Sequence, residues 1–167
     1  MVGMPAADSA LLAEIESLYR ERFADFVAVA ASIVGEREGA REAVQDAFAS
    51  IVRTRRDFRR QAPLEAWVWR AIVNAARKKR GRYAREVQLR RTPTTANGTA
   101  PQDERTELAT LVAALPERQR LVLFLRYYAD LDYRRIAQIL QVEVGTVSAT
   151  LHAAHGSLRR ALTEVPR

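Results

Sequence analysis

The chain of 167 residues contains no cysteine, which excludes disulfide bonds, thiol redox sensing and zinc sites with cysteine ligands. It has no apolar run long enough to span a membrane. Its N-terminus lacks the basic stretch followed by an apolar stretch that is typical of a signal peptide. Clean alternation of apolar and polar residues, the signal for a strand, is also missing. These absences predict a soluble, cytoplasmic, all-α protein.

The sequence shows no nucleophile paired with a base, no glycine-rich phosphate loop and no cluster of metal ligands. His152 and His155 lie three residues apart on one predicted helix, a spacing that can bind a metal. No carboxylate lies near them in that helix, so a metal site is not expected. We therefore predict no enzymatic activity, no cofactor and no bound metal.

Positive charge is concentrated in the middle of the chain. The net charge is −5 over residues 1–50, +11 over residues 51–91 and +1 over residues 92–167. A block this basic indicates a polyanionic partner, although a solvated basic helix is the simpler alternative. The densest run, residues 77–85, suits phosphate contacts that weaken steeply as salt rises.

Helical periodicity predicts three helices before residue 90. The first runs from Asp8, as its N-cap, to about residue 34, where Gly35 is suited to end it. The second spans about residues 38–56, and the third begins near Pro63 after a short loop. The second helix has an apolar stripe, which consists of Ala40, Val44, Ala47, Phe48 and Ile51.

The third helix separates into two sides on a helical wheel. Trp67 is predicted in the core, whereas the wheel leaves Trp69 undecided. The inward positions are predicted to be Leu64, Trp67, Val68, Ala71, Ile72 and Ala75. On another side, Arg70, Asn74 and Arg77 follow at intervals of four and three residues, and this row suits a phosphate backbone with a base edge between.

Residues 91–103 are rich in Thr, Pro, Asn and Gly and have no apolar period, so they are predicted to form a flexible linker. The linker joins two small helical domains, residues 8–90 and residues 104–163.

The second domain is predicted to end in a helix-turn-helix, because two amphipathic helices are joined by only four residues, 141–144. The apolar stripe of the first of these helices comprises Tyr133, Ile136, Ala137 and Leu140. The stripe of the second comprises Val147, Leu151, Ala154, Leu158 and Leu162. No Lys or Arg occurs over residues 136–158, which is unusual for a DNA-binding surface.

Two ordered groups of motifs stand out in the sequence. The first group is EAVQDAF at 42–48, DFR at 57–59 and WVWRAIVN at 67–74. The second group is LPERQR at 115–120, YRRIA at 133–137 and VGTV at 144–147. In this order and spacing they resemble the extracytoplasmic-function class of bacterial sigma factors, a branch of the sigma-70 family. The resemblance covers about residues 15–85 and 108–163.

The resemblance implies a set of macromolecular partners. They are core RNA polymerase, through the clamp helices of its largest subunit and its flap, and promoter DNA, with an anti-sigma factor as a further candidate. The implied polymerase-binding residues lie off the apolar stripe of the second helix: Glu42, Gln45, Asp46 and Arg53. A chain bound to polymerase would be associated with the nucleoid.

The resemblance also implies which residues contact DNA. Asn74 matches a family asparagine that engages the minus-ten element, whose non-template strand is melted. The candidate minus-ten residues are Phe58, Arg59, Arg60, Arg70, Asn74, Arg77, Lys78 and Arg80. The candidate helix-turn-helix contacts are Arg134, Gly145, Thr146, Ser148, Ala149, Thr150 and His152.

The helix-turn-helix departs from the family pattern. Family members usually carry Lys or Arg at several of the positions matched here by Ser148, Thr150, Ala153 and His155. Gln141 also stands where glycine is usual, and Glu143 where proline is usual. We therefore predict weak recognition of the minus-thirty-five element, with promoter specificity concentrated in the first domain.

The main interpretation is a sigma factor that directs RNA polymerase to promoters and aids melting of the minus-ten region. One alternative is a stand-alone helix-turn-helix regulator, which leaves the motifs before residue 90 unexplained. Another is a degenerate sigma-like protein that binds polymerase without reading minus-thirty-five DNA. The bare recognition helix keeps this last alternative open.

Overall fold

The computed structural model describes residues 6–89 and 107–164. Within these ranges the chain forms seven α-helices and no strand, which confirms the all-α fold. The chain divides into two compact units, Met1–Lys79 and Arg80–Arg167. The predicted linker at residues 91–103 lies outside the described residues. The helices are α1 (Ala6–Val34), α2 (Arg37–Thr54), α3 (Leu64–Leu89), α4 (Glu107–Ala113), α5 (Glu117–Tyr127), α6 (Tyr133–Leu140) and α7 (Val144–Glu164).

α1 and α2 form a helical hairpin that carries much of the core of the first unit. α1 ends at Gly35, which has a φ of 94° and donates its N–H to the Ala31 carbonyl at 2.9 Å, as predicted for a glycine cap. α2 begins after Glu36, whose carboxylate accepts hydrogen bonds from the N–H groups of Glu38 and Gly39. All five α2 residues predicted to face inward are buried.

The assignment of Asp8 as the N-cap of α1 is wrong. α1 begins at Ala6, so Asp8 lies in its first turn, with only 8% of its side chain exposed and an ion pair to Arg55. A guanidinium forms stronger, charge-assisted hydrogen bonds with a carboxylate than neutral donors do. The partner lies 47 positions away, beyond the reach of local sequence rules.

The burial of α3 differs from the wheel prediction. Trp69 is fully buried and meets Phe26 edge-on, with ring centroids 4.6 Å apart. The prediction of Trp67 in the core is wrong, because Trp67 is half-buried and packs against Phe58 instead. α3 is apolar over most of its circumference between residues 64 and 76, so periodicity does not select one side. Its buried residues are Ala66, Val68, Trp69, Ile72, Val73 and Ala76.

The second unit is built around α5, α6 and α7, which pack on one another. Its fully buried large side chains are Leu121, Leu125, Ile136 and Leu151. Arg120 stabilises the turn between α4 and α5 by donating to the carbonyls of Ala113 at 2.9 Å and Leu115 at 2.7 Å. This part of the LPERQR motif therefore maintains the fold.

α6 and α7 form the predicted helix-turn-helix. Asp132 caps α6 by accepting a hydrogen bond from the N–H of Arg135 at 2.8 Å. Gln141 ends α6 in the left-handed region, with φ 55° and ψ 48°, and the N–H of Val142 donates to the Ala137 carbonyl at 3.0 Å. Glutamine thus occupies a left-handed position at the end of α6 where glycine is favoured.

The apolar stripes of the helix-turn-helix are confirmed near the middle of each helix and are wrong at its ends. Ile136, Ala137, Val147, Leu151 and Ala154 are buried. Tyr133, the first residue of α6, is 39% exposed, and Leu162, in the last turn of α7, is 48% exposed.

Replacing Gln141 with glycine should stabilise the second unit. Relief of the left-handed strain of an L-residue exceeds the extra chain entropy of glycine, so the free energy of unfolding should rise by up to about 1 kcal/mol. Thermal unfolding monitored by circular dichroism measures the change. Gln138→Gly within α6 is the control and should instead destabilise the unit by about 1 kcal/mol or more. A lower melting temperature for Gln141→Gly would contradict the strain argument.

Candidate functional site

The four α2 residues predicted to bind polymerase are all exposed, and the opposite side of the helix is buried. We call this surface, Glu42, Gln45, Asp46 and Arg53, the α2 face. Glu42 also forms an ion pair with Lys79 of α3. The α2 face therefore contacts α3 at Lys79, within the first unit.

The candidate minus-ten residues of α3 are mostly exposed. Asn74, Arg77, Lys78 and Arg80 are exposed, and Arg70 is half-buried. Because Arg70, Asn74 and Arg77 are spaced by four and three residues, they share one face of the helix. We call them the α3 row. Such a row can hold two phosphates while the amide contacts a base edge.

The loop before α3 combines an aromatic pair with two arginines. The rings of Phe58 and Trp67 are 5.1 Å apart at 30°, and both side chains are half-buried. Arg59 is exposed, and Arg60 pairs with Glu14 of α1 at 2.9 Å. Sequence reasoning missed the aromatic pair because the wheel placed Trp67 in the core. An aromatic surface here can stack an unpaired base.

The start of the loop is attached to the first turn of α1. Arg55 Nε and Nη2 donate to the two carboxylate oxygens of Asp8 at 2.8 and 3.1 Å. These hydrogen bonds hold the pKa of Asp8 below its ordinary value of 3.8, against the opposing effect of burial. The carboxylate is therefore ionised at neutral pH. The sequence carries no local signal for this pair.

α7 presents an uncharged outer face. Gly145, Ser148, Ala149 and His152 are exposed, and Thr146 and Thr150 are half-buried. The Thr150 hydroxyl donates to the Thr146 carbonyl at 2.7 Å, so its proton is used within the helix. Ser148 and His152 thus retain the side-chain donors best placed for a base. Arg134 on α6 is exposed.

A groove of about 520 Å³ runs along this face of α7. The groove is shallow, and its lining consists of Pro116, Arg118 and Gln119 together with Gly145, Thr146, Ala149, Thr150 and Ala153 of α7. Arg118 therefore adds positive charge beside residues 144–158 of α7, which include no Lys or Arg. Sequence reasoning missed Arg118 as a site residue because it belongs to a different helix; its place in the LPERQR motif was the available signal.

His155 does not complete a metal site with His152. Its Nε2 lies 3.0 Å from the Tyr127 hydroxyl, which connects α7 to α5. Among the described residues, no group of three or more His, Cys, Asp or Glu side chains is placed to hold a metal ion. None of the described helices is both long and apolar enough to cross a membrane.

Two family models match the chain in the order that the motifs indicate. The model of sigma-70 region 2 matches residues 18–86, and the model of sigma-70 region 4 matches residues 105–155. Together they cover more than half of the chain. The chain belongs to the sigma-70 family. This is a family of non-enzymatic transcription initiation factors. A stand-alone helix-turn-helix regulator does not account for the match over residues 18–86.

Curated relatives place the sigma-70 chain in the extracytoplasmic-function group. It is 23% identical to the ECF RNA polymerase sigma factor SigW of Bacillus subtilis, with 95% of this chain and 92% of that protein covered. It is 26% identical to the RNA polymerase sigma-E factor of Streptomyces coelicolor, with 89% and 86% covered.

Solved structures agree on the fold. The sigma factor RpoE of Bartonella quintana, in complex with the anti-sigma factor NepR, aligns over 90% of this chain and 99% of its own, with a TM-score of 0.69 and 18% identity. CnrH, in complex with the cytosolic domain of CnrY, aligns over 96% and 94%, with a TM-score of 0.71 and 21% identity.

Proposed function

We propose that this sigma-70 chain binds core RNA polymerase, directs it to specific promoters and helps melt the minus-ten region. One observation carries the proposal. Within the family-matched residues 18–86, the exposed α2 face and the α3 row belong to the same compact unit, and Glu42 of the α2 face pairs with Lys79 of α3. A surface suited to a protein and a surface suited to a nucleic acid would then lie on one compact unit, as an initiation factor requires.

The chemistry of each surface supports its partner. The α2 face offers carboxylates and an amide, which complement a basic protein surface. The α3 row and the loop offer guanidinium groups, an amide and an aromatic pair, which suit a melted strand whose bases are out of the stack. We propose the clamp helices of the largest polymerase subunit as the protein partner. The sigma-70 chain would then act on DNA in the cytoplasm, within the nucleoid.

We also propose the domain assignment of residues 8–90 as polymerase- and minus-ten-binding and residues 104–163 as helix-turn-helix, with the latter contacting the polymerase flap. An anti-sigma protein is a further proposed partner, because the Bartonella relative was solved with one.

The second domain should contribute less to promoter choice than the first. Arg or Lys bound bidentately to guanine supplies about 1–3 kcal/mol of discrimination per base pair, and α7 has neither residue before Arg159. Arg118 at the groove wall and Arg134 on α6 can hold the DNA backbone, which positions a protein without reading sequence. Ser148 and His152 remain as base contacts. Polymerase binding with little minus-thirty-five recognition is therefore part of the proposal.

Transcription by reconstituted polymerase tests these proposals together. Core RNA polymerase with the full chain should transcribe selected members of a library randomised over the minus-ten and minus-thirty-five regions. Sequencing of the transcribed templates should show strong base preference at minus ten and weak preference at minus thirty-five. Introducing Arg at Ser148 and Thr150 should raise non-specific affinity for DNA.

Core polymerase alone is the control and should show no such selection. Absence of promoter-dependent transcription despite stable polymerase binding would favour the degenerate sigma-like alternative. Strong selection at minus thirty-five would show that α7 reads bases well although it has no Lys or Arg before Arg159.

A further inference from the structure

The ion pair between Asp8 and Arg55 has no part in either proposed binding surface, yet it is among the most buried charged contacts in the described residues. The Asp8 side chain is 8% exposed and that of Arg55 is 17% exposed. Two hydrogen bonds join them, and Arg56 approaches the same carboxylate at 3.5 Å. A bidentate guanidinium–carboxylate pair constrains orientation as well as distance.

Arg55 stands where the chain leaves α2 and enters the loop. Residues Arg55–Asp57 form a single 3-10 turn, and the N–H of Phe58 donates to the Arg55 carbonyl at 3.1 Å. The loop then continues to Pro63 before α3 begins. A contact that fixes the orientation of Arg55 therefore also fixes the position of Phe58, which packs against Trp67.

A second contact ties the same loop to the same helix. Arg60 has a φ of 52°, a left-handed conformation that is unfavourable for an L-residue and persists only where surrounding contacts support it. Its guanidinium pairs with Glu14 at 2.9 Å. Two carboxylates of α1 therefore hold the loop on either side of Phe58. Asp8 binds Arg55, which precedes Phe58 in the chain, and Glu14 binds Arg60, which follows it.

We propose that Asp8 is a positioning residue for promoter binding: through Arg55 it holds the Phe58–Arg60 loop in the shape that receives the melted strand. The inference rests on the proposed function of this loop. A loop that is already ordered avoids the entropy of ordering its side chains when DNA binds. Loss of the pair should therefore weaken promoter binding without affecting polymerase binding.

Trp67 provides a direct report on the loop. The chain has two tryptophans: Trp69 is fully buried, while Trp67 packs on Phe58. The fluorescence quenching of Trp67 by acrylamide, obtained by difference from a Trp67→Phe variant, should increase in Asp8→Asn. Arg55→Ala should give a similar increase, and the double variant should add little to it, as expected for a coupled pair.

The functional measurement uses polymerase reconstituted with the full chain. Asp8→Asn should lower transcription from a selected promoter roughly tenfold, the effect expected when two or three side chains must be ordered on binding. Co-purification with core polymerase should be unchanged. Asp8→Glu, which keeps the charge, should recover part of the transcription.

Two controls separate positioning from loss of stability. Glu16→Gln removes the same charge from α1 but affects only an exposed pair with Arg20, so neither quenching nor transcription should change. Ile33→Val removes a methyl group from the buried core at the other end of α1, which lowers stability, and should leave Trp67 quenching unchanged.

Each outcome decides the matter. Unchanged Trp67 quenching in Asp8→Asn would overturn the inference, as would increased quenching with undiminished transcription. Transcription by the Phe58→Ala variant from the same promoter distinguishes failure of the Asp8 inference from failure of the proposed role of the loop. If Phe58→Ala lowers transcription and Asp8→Asn does not, Asp8 has no positioning role; if neither lowers it, the proposed role of the loop fails as well.

Discussion

Charge reversal on the α2 face should prevent the chain from binding core RNA polymerase. The variant with Gln45→Ala and Asp46→Arg replaces an amide and a carboxylate by a methyl group and a guanidinium, which repels a basic partner surface. Losing a desolvated charge contact at an interface costs about 2–5 kcal/mol, which corresponds to roughly 30-fold to several-thousand-fold weaker binding. We expect co-purification with core polymerase to be lost.

The variant should remain folded, because both positions are exposed and lie off the buried stripe of α2. Circular dichroism should therefore match that of the unchanged chain. Glu16→Arg in α1 is the matched control, since it reverses a carboxylate whose side chain is 58% exposed and lies outside the α2 face. Undiminished co-purification, or an equal loss in the control, would contradict the assignment.

Asn74→Ala should lower promoter-dependent transcription and relax the preference for one base of the minus-ten element. A specific contact to a base contributes about 1–3 kcal/mol of discrimination, so preference at that position should fall by roughly 5-fold to 150-fold. Alanine has a higher helix propensity than asparagine, and α3 is therefore not weakened. Initiation from four templates that differ at one base measures the effect at each minus-ten position.

Arg77→Ala provides the comparison, because Arg77 lies in the same α3 row three residues on. A phosphate contact carries no sequence information, so binding should weaken about equally on all templates and the salt slope should fall by about 1. Arg20→Ala, which removes an exposed charge from α1, should change neither quantity. Identical behaviour of the Asn74 and Arg77 variants would show that their distinct roles are wrongly assigned.

Local features made the helices and their ends predictable. Gly35 ends α1 in a positive-φ conformation, and all five α2 residues chosen by periodicity are buried, because caps and amphipathic spacing act within one or two turns of chain. The placement of Asn74 and Arg77 on the exposed side of α3 follows from the same spacing. Their roles in binding remain predictions.

Other features depend on contacts between distant parts of the chain. The choice between Trp67 and Trp69 as the core residue depends on where Phe26 of α1 lies, because α3 is apolar on too many sides for periodicity to decide. Because Trp69 occupies the core, Trp67 is left to pack against Phe58. Gln141 adopts a left-handed conformation although glutamine is unfavourable there, so the residue type at this position did not predict the turn.

The sequence by itself determined the all-α fold, the order of two family regions and the absence of Lys and Arg from residues 136–158, because composition, periodicity and motif spacing are written along the chain. Only the tertiary structure decided that Asp8 binds Arg55 and that Arg118 borders the bare face of α7. Both depend on packing that brings residues from different helices within contact distance. Because the charge of a surface depends on every helix that contributes to it, the sequence of α7 alone could not predict the charge around its outer face.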